Sequence, residues 1–194
     1  TRIQNGIADD HFTHVVREDP VRRGLLFCGT EHGVYISFDD GTAWQPLQLN
    51  LPDVHVPDLE IREDDVVIAT HGRSFWVLDN ISPLRQLTPA IASSDVHVFD
   101  PADEVLNVDP VHIDYYLAEP TRQVTVEIVD DGGRQARRLV DDQPVSGMNR
   151  ITWDGFYEPP TIWDGIVLEG GMPQGPFAPP GEYEARVNIG GRLF

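Results

Sequence analysis

Gly29-Thr30-Glu31-His32-Gly33-Val34-Tyr35-Ile36-Ser37-Phe38-Asp39 lies over Ala69-Thr70-His71-Gly72-Arg73-Ser74-Phe75-Trp76-Val77-Leu78-Asp79 at a constant offset of 40 residues. Thr30 pairs with Thr70, Tyr35 with Phe75, Phe38 with Leu78 and Asp39 with Asp79. Upstream, Arg17-Glu18-Asp19 has a looser counterpart in Arg62-Glu63-Asp64, displaced by a short insertion around Arg22-Arg23. Each copy reads as strand, tight turn, strand, Asp-rich turn and outer strand. A period near 40 residues with several short strands per copy is the signature of β-propeller blades. Two copies cannot close a propeller, so further blades are expected upstream of Thr1.

The same punctuation extends along the chain. Leu25–Cys28, Val34–Ile36, Val66–Ala69, Phe75–Leu78, Val124–Val129 and Tyr183–Val187 are short apolar runs bounded by Gly, Pro and Asp. Val124-Thr125-Val126-Glu127-Ile128 alternates as a half-buried strand does. With 16 Pro and 17 Gly spread through 194 residues, long helices have little room. The fold class expected is all-β.

From about Ile81 the repeat is lost, and the segment 88–111 reads as a linker. After Val111 a second pattern of short strands begins. Asp130-Asp131-Gly132-Gly133 is a hairpin turn, and Tyr157 to Pro180 is a Pro/Gly-rich loop. Strands with turns every ten or so residues suggest a small sandwich. Gly190-Gly191 reads as a turn whose return strand lies beyond Phe194. The expected organisation is two blades over 1–87, a linker over 88–111, and an immunoglobulin-like sandwich over 112–194 lacking its last strand.

The formal charge is −18, from 14 basic residues, all Arg, against 32 acidic ones. Such a chain repels phosphate backbones and anionic bilayers, which excludes nucleic acid as an expected partner. No run approaches the roughly 18 apolar residues a membrane helix needs. The Lys-free composition fits a GC-rich genome coding an acidic extracellular protein; it also fits a host in high salt. Cys28 is the single cysteine and sits in an apolar strand, so the expectation is a buried, inert thiol with no disulfide.

Ser37-Phe38-Asp39-Asp40-Gly41-Thr42-Ala43-Trp44 resembles the Asp-box, or bacterial-neuraminidase repeat, Ser-x-Asp-x-Gly-x-Thr-Trp, with Ala43 in place of the Thr. Residues 5–87 resemble the C-terminal blades of bacterial sortilin-like propeller proteins, often labelled glycosyl hydrolases. Phe12–Pro20 and Ala69–Trp76 are the most specific segments. Residues 112–194 resemble the Ig-like domain of flagellar hook-capping proteins, through Gly147–Arg150, Trp153-Asp154 and Pro179–Tyr183. These resemblances imply an extracytoplasmic location and a structural role for Ser37, Asp39, Gly41 and Trp44. That role agrees with their chemistry: a carboxylate accepting turn N–H groups, a Gly free to take positive φ, and a ring that packs between sheets.

Candidate chemistry is sparse. His71 and Arg73, in the turn of the second copy, are the expected ligand-binding residues, suited to a carboxylate or to sugar hydroxyls. Asp9-Asp10, Glu63-Asp64-Asp65, Asp130-Asp131 and Asp141-Asp142 read as solvated turn residues. Adjacent carboxylates do not supply the separation of about 5–10 Å that glycoside hydrolysis uses. No cofactor is expected; calcium on one such cluster has no motif behind it. The seven His follow no metal-binding spacing. Trp153, Tyr157 and Trp163 read either as a plug on the sandwich or as a platform for sugar rings. The function expected is non-catalytic binding or scaffolding, on a glycan or protein ligand. The alternative is a supporting part of a glycoside hydrolase whose carboxylates lie mostly on upstream blades.

Overall fold

The computed structural model describes residues 3–103, 110–162 and 173–194. The protein is all-β, and its described residues form four antiparallel sheets. It divides into two units, Thr1–Arg85 and Gln86–Phe194.

The first unit holds two meanders. One runs β1 (Thr13–Glu18), β2 (Leu26–Thr30), β3 (Gly33–Ser37) and β4 (Gln45–Pro46), each strand pairing with the next. The other runs β5 (Asp58–Arg62), β6 (Asp65–Ala69) and β7 (Phe75–Leu78). β2 and β3 are buried throughout, which is why Leu-Phe-Cys-Gly-Thr and Gly-Val-Tyr-Ile-Ser lack charge. Their side chains divide by the two-residue period of a strand. Phe27, Val34 and Ile36 join Val56, Leu59, Val66, Ile68 and Ile81 in one core. Leu26, Cys28 and Tyr35 face the other way and pack with Trp44. Fully burying each large apolar side chain contributes about 1.5–3 kcal/mol. Burial also pushes the Cys28 thiol up from its ordinary pKa, as an inert core thiol requires.

The two copies of the repeat share backbone devices as well as residues. Thr30 Oγ1 donates to the Gly33 carbonyl at 3.0 Å, and Thr70 Oγ1 to the Ser74 carbonyl at 2.5 Å, so a threonine pins each strand-joining turn. Forty residues apart, Asp40 and Asn80 both take positive φ, 59° and 52°. Acidic and amide side chains tolerate that region better than most.

The copies are also joined to each other. Asp19 and Asp64, equivalent in the repeat, both bind Arg85 in the short helix α1 (Ser82–Gln86). Asp19 takes bonds from Nε at 3.1 Å and Nη2 at 2.9 Å, while Nη2 also donates to the Glu63 carbonyl at 2.6 Å. The Asp19 carboxylate is wholly buried.

The second unit is a two-sheet sandwich. One sheet has the order β11-β10-β13-β14, from β10 (Val124–Asp130), β11 (Gln135–Asp141), β13 (Tyr183–Ile189) and β14 (Arg192–Leu193). The other has the order β12-β9-β8, from β8 (Val96–Val98), β9 (Val111–Leu117) and β12 (Gly147–Trp153). Val124, Val126, Ile128 and Val187 of the first meet Ile113, Tyr115, Ile151 and Trp153 of the second in one core. Asp114 and Arg150 sit directly opposite in the β9–β12 register and pair twice, at 2.7 and 3.2 Å.

Three expectations need amendment. The segment read as a linker, 88–111, carries ordered structure where described. Thr88 caps a helical turn, α2 (Pro89–Ala92), and β8 pairs with β9. The return after Gly190-Gly191, both at positive φ, begins within the chain: β14 pairs with β13, and Phe194 and Val187 exchange both backbone bonds. Several acidic turn residues are also bound rather than merely solvated. Asp130 accepts from the Arg134 backbone N–H at 2.8 Å and the Tyr157 hydroxyl at 3.0 Å, and Asp141 accepts from Tyr115. The Arg134 backbone bond leads in holding the Asp130 carboxyl below the usual carboxylate range.

Candidate functional site

Antiparallel pairing brings one end of each strand of the first unit to a common edge. Thr13, at the start of β1, pairs with Thr30 at the end of β2, and Asp58, at the start of β5, with Ala69 at the end of β6. The loops meeting at this edge carry five of the seven histidines: His11 and His14 at the start of β1, His32 in the β2–β3 turn, His55 ahead of β5, and His71 in the β6–β7 turn.

They assemble into two neighbouring groups. In one, the His11 and His32 rings stack at 4.5 Å. Tyr35 Oη lies 2.8 Å from His11 Nδ1, and Asp53 Oδ1 lies 2.9 Å from His32 Nδ1. In the other, His14 and His55 lie 4.2 Å apart and His55 and His71 5.7 Å, centroid to centroid. Glu31 stands 3.8 Å from His14 Nε2. The His71 N–H donates to the His55 carbonyl at 2.9 Å, which holds the second-copy turn against the lead-in to β5. His55 Nε2 is buried and has no hydrogen-bond partner among the described residues.

Of the two expected ligand-binding residues, His71 belongs to this rim. Arg73 occupies the same turn, where its carbonyl accepts from Trp76 Nε1 at 3.0 Å and its residue is exposed. The histidines read as scattered are therefore largely gathered. Contacts such as His14–His55 span too many residues for any short spacing to reveal them. Among the described residues, no group of three or more His, Cys, Asp or Glu is arranged to hold a metal ion. What the rim offers is flat aromatic faces and ring nitrogens able to donate or accept.

The Asp-box residues lie elsewhere, at the turn after β3. Ser37 Oγ donates to Asp39 Oδ1 at 2.8 Å and accepts from the Gly41 N–H at 3.0 Å, and Asp39 Oδ1 accepts from the Ala43 N–H at 2.9 Å. Gly41 takes φ 79°. Trp44 is buried, with its Nε1 on the Ile3 carbonyl at 3.0 Å. The Ala43 and Ser37 bonds, in that order, hold the Asp39 carboxyl below the usual range. The Ser37 hydroxyl and Asp39 Oδ1 are thus engaged within the turn itself. Trp153 and Tyr157 are buried in the sandwich core, and Trp163 lies outside the described residues.

No protein-family model matches the chain, and no curated protein matches it. Among solved structures, it is similar to FlgD from P. aeruginosa, a flagellar hook-capping protein, at 24% identity and a TM-score of 0.28. The likeness covers 53% of this chain and 63% of that one, less than two thirds of its length.

Proposed function

We propose that the chain is a binding or scaffolding part of an extracytoplasmic propeller protein, and that its ligand, a glycan or another protein, meets the histidine rim. In this reading residues 1–87 are two blades of the Asp-box, sortilin-like kind, and residues 112–194 are an Ig-like spacer or attachment module. The paired turns pinned by Thr30 and Thr70 and the positive φ of Asp40 and Asn80 support the blade reading.

The observation that carries the binding reading is the convergence of five imidazoles from four chain segments at one end of the strands. Loops held on a rigid sheet scaffold are where binding residues concentrate. The rim carboxylates Asp10, Glu31 and Asp53 each stand beside an imidazole, which suits orienting the rings better than acting as a proton-donating acid.

The test is a polysaccharide and protein panel, scored for retention by the chain and for new reducing ends. The expected result is retention without turnover, lost in a His71→Ala/Arg73→Ala variant that unfolds as the parent does. Release of reducing ends by the chain itself would favour the hydrolase instead.

A further inference from the structure

Resting on the blade half of that reading, we propose that the sheet face bearing Phe75 and Val77 is a docking surface for a further sheet of the same repeat, one that meets Glu60 with a basic residue. Strand register makes the two copies comparable position by position. In the first, Arg17, Phe27 and Ile36 lie side by side across β1, β2 and β3, as do Val15, Gly29 and Val34. In the second, Glu60, Val67 and Val77 lie side by side across β5, β6 and β7, as do Asp58, Ala69 and Phe75. Residues directly opposite on neighbouring strands share a face. Val34 therefore answers to Phe75 and Ile36 to Val77, one residue beyond the offset of 40 read from the sequence.

These equivalent faces differ in what covers them. Phe27, Val34 and Ile36 are at most 2% exposed, in a core shared with the opposite face of the second copy. That opposite face is Leu59, Ile68 and Trp76, aligned across β5, β6 and β7, with Val66 and Leu78 beside them. The packing is head to tail: one face of a copy meets the other face of the next. The face that would continue the series carries Phe75 at 73% and Val77 at 55% exposure, with Val67 and Ala69 partly buried alongside. The strand edge is bare as well. β4 pairs with Tyr35 and Ile36 of β3, whereas β7 ends its sheet among the described residues.

The contact between the two copies specifies the occupant. A head-to-tail series repeats its contact, so the surface that fits Phe75 and Val77 is an apolar face of the Leu59, Ile68 and Trp76 kind. One polar contact cannot repeat unchanged. Arg17 donates to Asp58 at 2.8 Å from the first copy to the second, but Glu60 takes the place of Arg17 in the second copy. An incoming sheet with an acid at the Asp58 position would set like charges together, so that position calls for Arg or Lys. A second whole chain has no such face to give. Its Leu26, Cys28 and Tyr35 face is packed with Trp44 and Ile7, and its Leu59, Ile68 and Trp76 face is spent on its own first copy.

The experiment adds the missing sheet to the whole chain: a second Gly41–Asn80 segment, carrying Asp58→Arg, inserted after Asn80. Asn80 shares the positive φ of Asp40, the residue that precedes Gly41. Val77→Cys in the original second copy reports on the face, because Cys28 is buried. Without the insert, that thiol is expected to react with a maleimide as a short peptide thiol does. With the insert it reacts roughly tenfold or more slowly, while Val77→Cys placed in the insert instead stays fast. An insert that keeps Asp58 protects less, and equal protection overturns the call for a basic residue. Added strand signal in circular dichroism with an unprotected thiol overturns the inference and leaves the blade reading standing. An insert that adds no strand signal overturns both. Protection in the chain without the insert that grows with protein concentration makes a second copy the occupant and overturns the inference.

Discussion

The two copies of the repeat in the first unit follow one plan and are fastened by different chemistry. In the first, the turn after β3 is closed by its own side chains: Ser37 and Asp39 hold the N–H groups of Gly41 and Ala43, and Trp44 covers the sheet face. The chain then adds β4. In the second, Asn80 repeats the positive φ of Asp40, but the chain passes into α1, and Arg85 reaches back to Asp64 and to Asp19 of the first copy. A local hydrogen-bonded box has been replaced by a long-range ion-pair clasp. The lesson is that the backbone path of the repeat is retained while the means of pinning it is free to change.

The clasp is the sharpest place to break this comparison. Arg85→Ala leaves Asp19 buried without its partner, and removing one member of a buried pair costs about 3–5 kcal/mol. Urea unfolding should show a loss of that size, with Arg85→Lys recovering part of it; a loss below about 1 kcal/mol would mean the clasp is ornamental. Next comes Gly29, whose counterpart is Ala69. A Cβ at Gly29 would stand 2.7 Å from the Val56 carbonyl oxygen and 2.8 Å from Val15 Cγ1, because the second copy's lead-in crosses β2 there. Gly29→Ala should destabilise by about 1–3 kcal/mol, as overpacking does. The reverse change, Ala69→Gly, tests whether the asymmetry is real: it should cost no more than about 1 kcal/mol, the entropy of a strand glycine.

Ser37→Ala strips the box of its hydroxyl and leaves the Gly41 N–H short of its acceptor. The expected cost is about 1–2 kcal/mol in the same unfolding assay. The smallest effect is one of pH. Asp39 has a folded pKa below its ordinary value, so its stabilisation is fully present above about pH 4, where the unfolded carboxyl is ionised. That stabilisation is lost as pH falls through the lower folded value. Asp39→Asn should therefore flatten the acid limb of the stability curve below about pH 4, and an unchanged limb would count against the box as its origin.

Much of the architecture was legible because it is written locally. The all-β class follows from short apolar runs between Gly, Pro and Asp, and those runs lie in β2, β3, β6, β7, β10 and β13, with Leu25 just ahead of β2. The 40-residue offset follows from side chains that the shared turns require. What could not be read depends on which strand ends share an edge. Arg85 and Asp19 are 66 residues apart, and no spacing marks them as partners. Val96-His97-Val98 is too short a run to be distinguished from a linker, and only its pairing with β9 makes it a strand. Of the rim, the turn at His71 and Arg73 stood out because it lies inside the repeat. His11, His14, His32 and His55 did not, since their grouping arises from hairpin register.

The central claim is that this register gathers five imidazoles from four chain segments into two groups at one end of the strands, and its most direct test is a nuclear Overhauser spectrum of the carbon-bound ring protons of the histidines. The account predicts cross-peaks between His11 and His32 and between His14 and His55, with a weaker one from His55 to His71, following centroid separations of 4.5, 4.2 and 5.7 Å. A folded chain in which each ring sees only its own sequence neighbours would contradict it.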